Sequence, residues 1–318
     1  MYKVGVVGDT GITGNRLVDL LNQHPFVSVG YKKSSKTETG KLEDVGLVFL
    51  ATKEGVSMDV APELIGLDKR VIDLSGAYRI PLVKFEKWYG VQHSSPELIS
   101  RAVYGMPALN AEGIGGAELV ANPGCYATGM ILALHHLVKH GLVDNECTVT
   151  ATSGISGAGK MPEEPSNEVA YSYGKKHKHV PEVEEYVSLK GGFKLENFTP
   201  IVLKSVYSGI NANIVIGISD ELMGINPDAA ANILKECLMD SYLPEDMIEA
   251  FTFNENPSAG TLDVNGSNNL IIKIGVDGRY ANVISLLDNL GKGSATQAIE
   301  NMNLMLGVPR LAGIAHSL

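Results

Sequence analysis

The sequence has few cysteines, no excess of positive charge and no long apolar run, and each shortage excludes a class of protein. Its three cysteines, Cys125, Cys147 and Cys237, show no zinc-type spacing, which indicates free thiols in a reducing compartment and no metal site. The formal net charge of −10 argues against nucleic acid or an anionic membrane as a partner. No leader and no run of membrane-spanning length is found, so we expect a cytoplasmic protein.

The first third of the 318 residues alternates between buried-strand runs and helical spacing. Such alternation predicts an α/β fold with a Rossmann-type, doubly wound parallel sheet. The predicted strands are 4–7, 26–31, 45–52 and 71–75, and the predicted helices are 15–23 and 58–65.

The last third has a different pattern, which predicts a second, α+β substrate domain with a mostly antiparallel sheet. Two alternating runs, 199–207 and 211–219, are predicted to be strands joined by a turn at Ser208-Gly209. Further strands are predicted at 261–265, 270–276 and 280–287, and helices at 226–240 and 294–306. The chain is long enough for two such domains.

A glycine-rich turn follows the first predicted strand and leads into the first predicted helix. Its spacing is GxxGxxG, a variant of the dinucleotide fingerprint. Glycine allows the backbone to approach a pyrophosphate, and the helix N-terminus favours the negative charge. A tight strand–helix turn without a ligand is the alternative. The predicted cofactor contacts here are Gly8, Thr10, Gly11, Ile12, Thr13 and Gly14.

The end of the second predicted strand carries cations and hydroxyls, Lys32, Lys33 and Ser35, where an NAD site would carry an acidic residue. Cations suit the 2′-phosphate of NADP, so these three residues are predicted to bind it. The alternative is a solvated charged loop.

Cys125 stands at the corner between a predicted strand end, 119–121, and a predicted helix. Asn122, Pro123 and Gly124 force a turn before it. The first amides of a helix lack intrahelical partners and carry the positive end of its dipole, so a thiol there tends to ionise and become a nucleophile. The alternative is a small buried residue that only packs at the corner.

Several segments, in order along nearly the whole chain, resemble the N-acetyl-γ-glutamyl-phosphate reductase family. They are GVSMDVAPEL, VIDLSGAYRI, WYGVQHSSPEL, VYGMPALN, VANPGCYATG, SGISGAGK, HKHVPEVEEY and DNLGKGSATQAIENMNLMLG. The loop over 34–44 is short for the family. Aspartate-semialdehyde dehydrogenase and glyceraldehyde-3-phosphate dehydrogenase are wider relatives with the same two-domain plan.

The resemblance implies NADPH-dependent reduction of N-acetyl-γ-glutamyl phosphate to N-acetylglutamate semialdehyde and phosphate, in arginine biosynthesis. A Cys125 thiolate would displace phosphate and form a thioester, which hydride reduces. A histidine suits the proton transfers. His177 and His179 would face the same way in an extended segment, so the residues leave both open, and His179 is favoured. Two solvated histidines are the alternative.

The loop after the strand 147–152 could stabilise an oxyanion and line the nicotinamide pocket through Ser153, Ser156 and Gly157. The resemblance adds Asn289 to the nicotinamide site. The alternative is that this loop is only a flexible connector. The candidate substrate ligands are Arg79, Asn122, Ser153, Lys160 and His177.

The resemblance also implies a domain plan and an assembly. An NADP-binding domain would comprise 1–123 and 290–318, a catalytic and oligomerisation domain would comprise 124–289, and the protein would be a homodimer or homotetramer. Two alternatives remain: a reductase of another acyl phosphate (aspartyl, N-succinylglutamyl or carrier-linked), and a non-catalytic NADP-sensing protein.

Overall fold

The computed structural model describes residues 1–158, 168–188 and 192–314. The chain divides into two compact units: unit 1 is Met1–Gly124 with Gly293–Leu318, and unit 2 is Cys125–Lys292. Within the described ranges, no helix combines the length and apolar character needed to cross a membrane.

Unit 1 begins with strands and helices that mostly alternate along the chain. The strands are β1 (Tyr2–Val7), β2 (Val27–Lys33), β3 (Glu38–Gly40), β4 (Leu47–Leu50), β5 (Arg70–Asp73), β6 (Val103–Tyr104) and β7 (Leu119–Ala121). The helices are α1 (Ile12–Asn22), α2 (Glu54–Gly66), α3 (Leu82–Tyr89) and α4 (Pro107–Gly116).

These strands form one sheet in the order β3-β2-β1-β4-β5-β7-β6, parallel throughout except for the pair β2 and β3. Apolar clusters bury both faces: Val4 and Phe49 belong to one cluster, Val48 and Leu50 to the other. Burial on both faces explains the unbroken apolar runs in the sequence. The predicted Rossmann-type sheet is confirmed. The strand order reverses between β1 and β4, where such sheets bind ligands at their carboxyl ends.

Unit 2 places its helices around a second sheet. Its elements are α5 (Cys125–Lys139), β8 (Val143–Gly154), β9 (Val169–Ala170), α6 (Val180–Tyr186), β10 (Lys194–Leu203), β11 (Ile210–Ile218), α7 (Asp220–Met223), α8 (Pro227–Ser241), β12 (Ile248–Thr252), β13 (Leu270–Asp277) and β14 (Tyr280–Leu287). The order is β12-β13-β14-β11-β8-β10-β9, and only β8–β10 and β12–β13 are parallel among the described pairs. The mostly antiparallel sheet is therefore confirmed. The chain then returns to unit 1 and forms α9 (Thr296–Leu306).

The predicted hairpin between 199–207 and 211–219 is wrong. β8 lies between β10 and β11 and pairs with both, so the two strands are not neighbours. The segment before β11 bonds instead to the end of β8: Gly154 N–H donates to Gly209 O at 2.9 Å, and Ser156 N–H donates to Tyr207 O at 2.9 Å. Gly209 has φ +110°, which permits this path.

Three strands near turns also differ from the prediction. The predicted strand at 261–265 is a 3₁₀ turn over Thr261–Asp263, because the Asp263 carboxylate accepts the Gly260 N–H at 2.8 Å and closes a local turn. Strand β12, at the edge of the second sheet, was not predicted. Neither was β3, which pairs antiparallel with β2 after a tight turn in which Ser34 N–H donates to Thr37 O.

Candidate active site

The thiol predicted as the nucleophile lies at the start of a helix. Helix α5 begins at Cys125, which is partly exposed, immediately after the turn that follows β7. The other two thiols lie elsewhere in unit 2: burial raises the pKa of Cys147 in β8 to about 12, and burial also raises the pKa of Cys237 on α8. Both are therefore protonated at neutral pH, and Cys125 is the thiol whose position favours a thiolate.

The turn before Cys125 is held by buried side chains of unit 1. Arg79 Nε donates to Asn122 O at 2.7 Å, and Arg79 Nη2 donates to Leu74 O. Asn122 Nδ2 donates to Ser294 O at 3.3 Å, and its Oδ1 accepts from Asn301 Nδ2 at 3.0 Å. These bonds give Arg79 and Asn122 a positioning role; substrate contact by either stays a prediction.

The two candidate histidines meet in a turn, so the predicted extended segment is wrong. His179 N–H donates to His177 Nδ1 at 3.1 Å, and the ring centroids are 4.7 Å apart. The side chain of His177 closes the turn itself, with the chain reversing through Ser172 and Gly174 at positive φ. Because Nδ1 of His177 accepts a bond, its proton lies on Nε2.

The pKa of His177 is lowered to about 3, first by burial and then by the charge of His179. Glu182, buried in the first turn of α6, acts in the opposite direction. His177 is therefore neutral at physiological pH: it can donate a hydrogen bond through Nε2 but brings no charge to a phosphate. His179 stands at the N-cap of α6.

Sequence reasoning missed two tyrosines beside these groups. Tyr126, buried on α5, has its ring centroid 5.5 Å from that of His177 and 5.9 Å from that of His179. Its hydroxyl is 3.5 Å from the Tyr171 hydroxyl. Burial raises the pKa of both phenols, and a charge on Cys125 acts in the same direction. The only sequence signal for Tyr126 was its position next to Cys125.

The loop after β8 brings four predicted residues together. Asn289 Nδ2 donates to Ser156 Oγ at 3.0 Å, and Gly209 N–H donates to Asn289 Oδ1 at 2.8 Å. A Cβ on Gly157 would lie 2.7 Å from Ser153 Oγ and 3.4 Å from Asn289 Nδ2. We call Ser153, Ser156, Gly157 and Asn289 the loop cluster. Lys160 lies outside the described residues.

The glycine-rich turn of unit 1 is packed so closely that two of its positions require glycine. Gly8 has φ +90°, and a Cβ there would collide with Ala51 O. A Cβ on Gly14, in the first turn of α1, would collide with Gly8 O. Gly11 caps α1 without a side-chain hydrogen bond, and Thr10 to Ile12 are exposed. The first amides of α1 are thus available to an anion.

The basic segment lies next to this turn. Gly8 N–H donates to Lys33 O at 2.7 Å. Lys33 Nζ is 3.6 Å from Glu38 Oε2, and Tyr31 donates to the same carboxylate, so Lys33 already faces a negative charge. Lys32 points away from buried Tyr31 and has no ion pair among the described residues. Ser35 is exposed at the tip of the turn between β2 and β3.

The fold is that of a semialdehyde dehydrogenase. Residues 28–117 match the family "Semialdehyde dehydrogenase, NAD binding domain", and residues 125–289 match "Semialdehyde dehydrogenase, dimerisation domain". Aspartate semialdehyde dehydrogenase II from Vibrio cholerae, complexed with ASA, aligns with a TM-score of 0.73 at 18% identity, over 96% of this chain and 98% of that one. Aspartate semialdehyde dehydrogenase with NADP from Candida albicans aligns with a TM-score of 0.69 at 18% identity, over 97% of this chain and 99% of that one.

Curated relatives identify the family within the semialdehyde dehydrogenases. The N-acetyl-gamma-glutamyl-phosphate reductases of Desulforudis audaxviator and Nitrosospira multiformis are 36% and 33% identical to it, each over 99% of this chain and 98% of theirs. That of Lachnoclostridium phytofermentans is 35% identical over the same shares. The chain belongs to the N-acetyl-γ-glutamyl-phosphate reductase family, and the enzyme class predicted from the sequence is confirmed.

Proposed function

We propose that this protein reduces N-acetyl-γ-glutamyl phosphate to N-acetylglutamate semialdehyde, with release of phosphate, through a thioester on Cys125. The observation that carries the proposal is the grouping in unit 2 of a thiol at a helix start with two histidine rings around Tyr126. The names of the curated relatives supply the substrate. Under this proposal unit 1 binds the cofactor and unit 2 carries the chemistry.

The thiol attacks the acyl carbon, the bond from that carbon to the phosphate oxygen breaks, and inorganic phosphate leaves. His179 takes the thiol proton and gives it to the carbonyl oxygen when that oxygen gains negative charge. It removes this proton again as the bond from that carbon to the Cys125 sulfur breaks, which releases the aldehyde and regenerates the thiolate. His177 holds the backbone of His179 through its Nδ1. Ser156 and Asn289, already bonded to each other, are available to donate to developing negative charge on that oxygen.

The residues of unit 1 fit a dinucleotide. Because Gly8 and Gly14 have no side chains, the backbone at the start of α1 is accessible to a ligand. The exposed amides there suit a pyrophosphate. Gly8, Thr10, Gly11, Ile12, Thr13 and Gly14 would hold it. When bound, NADPH supplies the hydride equivalent that takes the acyl group to the aldehyde level.

The cofactor is NADP(H) rather than NAD(H), since Lys32 places a cation beside the glycine-rich turn where an acidic ribose ligand would otherwise stand. Lys32→Ala should raise the KM for NADPH by about tenfold or more, the loss expected for one charge-assisted phosphate contact. Lys33→Ala should change it less, because Glu38 already faces Lys33. An enzyme with a lower KM for NADH than for NADPH would contradict the assignment.

The function is tested by running the reaction backwards. The purified protein receives phosphate and NADP with one aldehyde at a time: the semialdehydes of N-acetylglutamate, N-succinylglutamate and aspartate. Turnover should be greatest with the first and should require phosphate. Cys125→Ser should remove it, whereas Cys237→Ser, a control thiol on α8, should retain it. Preference for another aldehyde would reassign the substrate, and no turnover with any would favour an NADP sensor.

We also infer a homo-oligomer assembled through unit 2. Its support is the match of residues 125–289 to a domain described as a dimerisation domain. Light scattering coupled to gel filtration separates a dimer from a tetramer, and a monomer at micromolar concentration would contradict the inference.

A further inference from the structure

Tyr126 is the chain neighbour of the nucleophile, and its ring contacts both candidate histidines. It follows Cys125 on α5, and only 3% of its surface is exposed. Its ring meets three others edge to face: His177, His179 and Phe198, with centroids 5.5, 5.9 and 5.2 Å away. Phe198 also meets His177, at 5.2 Å. Aromatic pairs of this geometry contribute beyond their buried area.

The ring of Tyr126 contacts both histidines, whereas its hydroxyl lies near the Tyr171 hydroxyl. The hydroxyl is 3.5 Å from that of Tyr171, which is long for a hydrogen bond between hydroxyls. Since burial raises its pKa well above the ordinary value, the phenol stays neutral and cannot serve as a general base.

We propose that Tyr126 is a positioning residue of the reaction: its ring holds His177 and His179 in place beside the Cys125 thiol. This inference rests on the proposed reductase function. The chain connection fixes Tyr126 to the nucleophile, and the ring contacts fix the histidines to Tyr126. A displacement of reacting groups by about 1 Å can cost 10²-fold in rate, so a ring that sets this separation affects turnover without touching substrate.

Three variants separate the ring from the hydroxyl and from general stability. Tyr126→Phe keeps the ring, and Tyr126→Leu removes it. Tyr242→Leu is the matched control, because Tyr242 is another buried tyrosine of unit 2 that meets a histidine of α5, His136, with centroids 4.8 Å apart. The measurements are kcat, the KM for NADPH, the pH profile of kcat/KM, and the pH dependence of Cys125 alkylation by iodoacetamide.

Tyr126→Phe should keep kcat within about threefold. Tyr126→Leu should lower kcat by about 10- to 100-fold, leave the KM for NADPH unchanged and move the alkylation midpoint to higher pH, because the imidazole no longer stands beside the thiol. Tyr242→Leu should lower the melting temperature without moving either pH dependence. The titratable groups around this site within unit 2 are Tyr126, Tyr171, His177, Lys178, His179 and Glu182. Both phenols and His177 stay neutral near pH 7, so His179 sets the profile under this proposal.

Two results would overturn the inference: an unchanged kcat and alkylation midpoint in Tyr126→Leu, or an equal loss in Tyr126→Phe, which would assign the effect to the hydroxyl. If Tyr126→Leu does not fold, Phe198→Leu takes its place, because Phe198 packs against both Tyr126 and His177 from β10; a wild-type alkylation profile there counts against the proposal. If wild type turns over no aldehyde, the proposed function fails, and alkylation alone still decides the role of Tyr126.

Discussion

At the scale of single residues, histidines that look alike in the sequence have different surroundings. His177 is neutral and closes a turn, whereas His179 begins a helix two residues later. His136 is buried on α5, and neither of its ring nitrogens has a hydrogen-bond partner among the described residues. Burial and hydrogen bonding are properties of the fold, so the sequence could name His177 and His179 together but not divide their roles.

Replacing the two catalytic candidates should therefore give different results. His179→Asn should lower kcat by about 10²–10⁴-fold, the usual effect of losing a positioned general base, and should remove the ionisation that limits kcat/KM at low pH. His177→Asn should cost less, because an asparagine oxygen can still accept the His179 N–H two residues on. The pH profile of kcat/KM, measured for both, tests the assignment.

His177→Ala is the control for that prediction, since alanine cannot accept the bond. It should be less active than His177→Asn while keeping the wild-type pH midpoints, because a histidine with a pKa of about 3 does not titrate in the working range. If His177→Asn loses the low-pH ionisation and His179→Asn keeps it, the two roles are reversed.

His136 should make the protein sensitive to acid. Its pKa is lowered to about 4, first by burial and then by the charges of His135, Lys139 and His140, while Asp246 opposes the shift. The unfolded chain, with a pKa near 6.5, binds more protons between pH 6.5 and 4, so the free energy of unfolding falls as the pH falls through that window. The contribution of His136 to this loss should be about 2–3 kcal/mol, and His136→Phe should remove that part, while buried His177, with a pKa of about 3, still contributes.

Urea unfolding at pH 7 and pH 4.5 measures this effect. His140→Phe is the matched control: His140 is exposed one helical turn further on, and its replacement removes only one of the smaller causes of the His136 shift, so it should change the difference between the two pH values much less than His136→Phe does. An equal acid-dependent loss in wild type and His136→Phe would show that other groups cause it.

At the scale of elements, the sequence predicted the helix starts that neighbouring residues determine, but not the strand pairing that distant residues determine. The turn Asn122-Pro123-Gly124 placed the start of α5 at Cys125, and the structure begins the helix there. Strand pairing is decided by distant contacts: β11 follows β10 in the chain, yet β8, more than forty residues earlier in sequence, lies between them. The turn at Ser208-Gly209 was predicted to join two neighbouring strands, because the residues around it give no sign of the strand that lies between them.

The loop cluster shows the same limit within the site. Ser156 and Asn289 are separated by 133 positions, and their hydrogen bond depends on β14 returning beside the end of β8 through β11. Family resemblance supplied Asn289, whereas composition and spacing could not. Tyr126 was missed for the opposite reason: on a helix with an apolar buried face, a buried tyrosine looks like an ordinary core residue.

The junction of β1 and α1 gives a prediction at this scale. Gly14→Ala should destabilise unit 1 by about 1–3 kcal/mol, as overpacking does, and should weaken NADPH binding, because a Cβ there collides with Gly8 O. Gly11→Ala is the matched control for stability: its Cβ would meet only Gly8 O, at 3.6 Å, and its φ of −73° suits alanine. Thermal unfolding and NADPH titration of both variants test this; similar melting temperatures would contradict it.

At the scale of the whole molecule, residues from both ends of the chain complete unit 1. Ala298, Ile299 and Met302 on α9 are fully buried in the same core cluster as Val4 and Leu17. Arg70 donates to Ala117 O, beyond the end of α4, and to Met305 O on α9, so one guanidinium joins the C-terminal ends of both helices. Helix α9 is therefore part of the core of unit 1.

Met302→Ala should consequently destabilise unit 1 by about 2–5 kcal/mol, the cost of a cavity in a packed core. Hydrogen exchange followed by mass spectrometry should show faster exchange in β1 and α1 than in β8 and β11. Val83→Ala, which truncates a side chain that is 79% exposed on α3, is the control and should change exchange nowhere. Uniformly faster exchange across both units would mean that they unfold as one.

The late position of α9 sets an order for folding on the ribosome. The strands of unit 1 are translated first, but the helix that covers part of their core is translated only after all of unit 2. At roughly 5–20 residues per second, the nascent sheet stays uncovered for about 10–30 s. Unit 2, whose strands and helices are contiguous in the chain, can fold during that interval. A trigger-factor-type chaperone would therefore find its apolar surface on unit 1, and pauses in translation between β14 and α9 would lengthen that exposure.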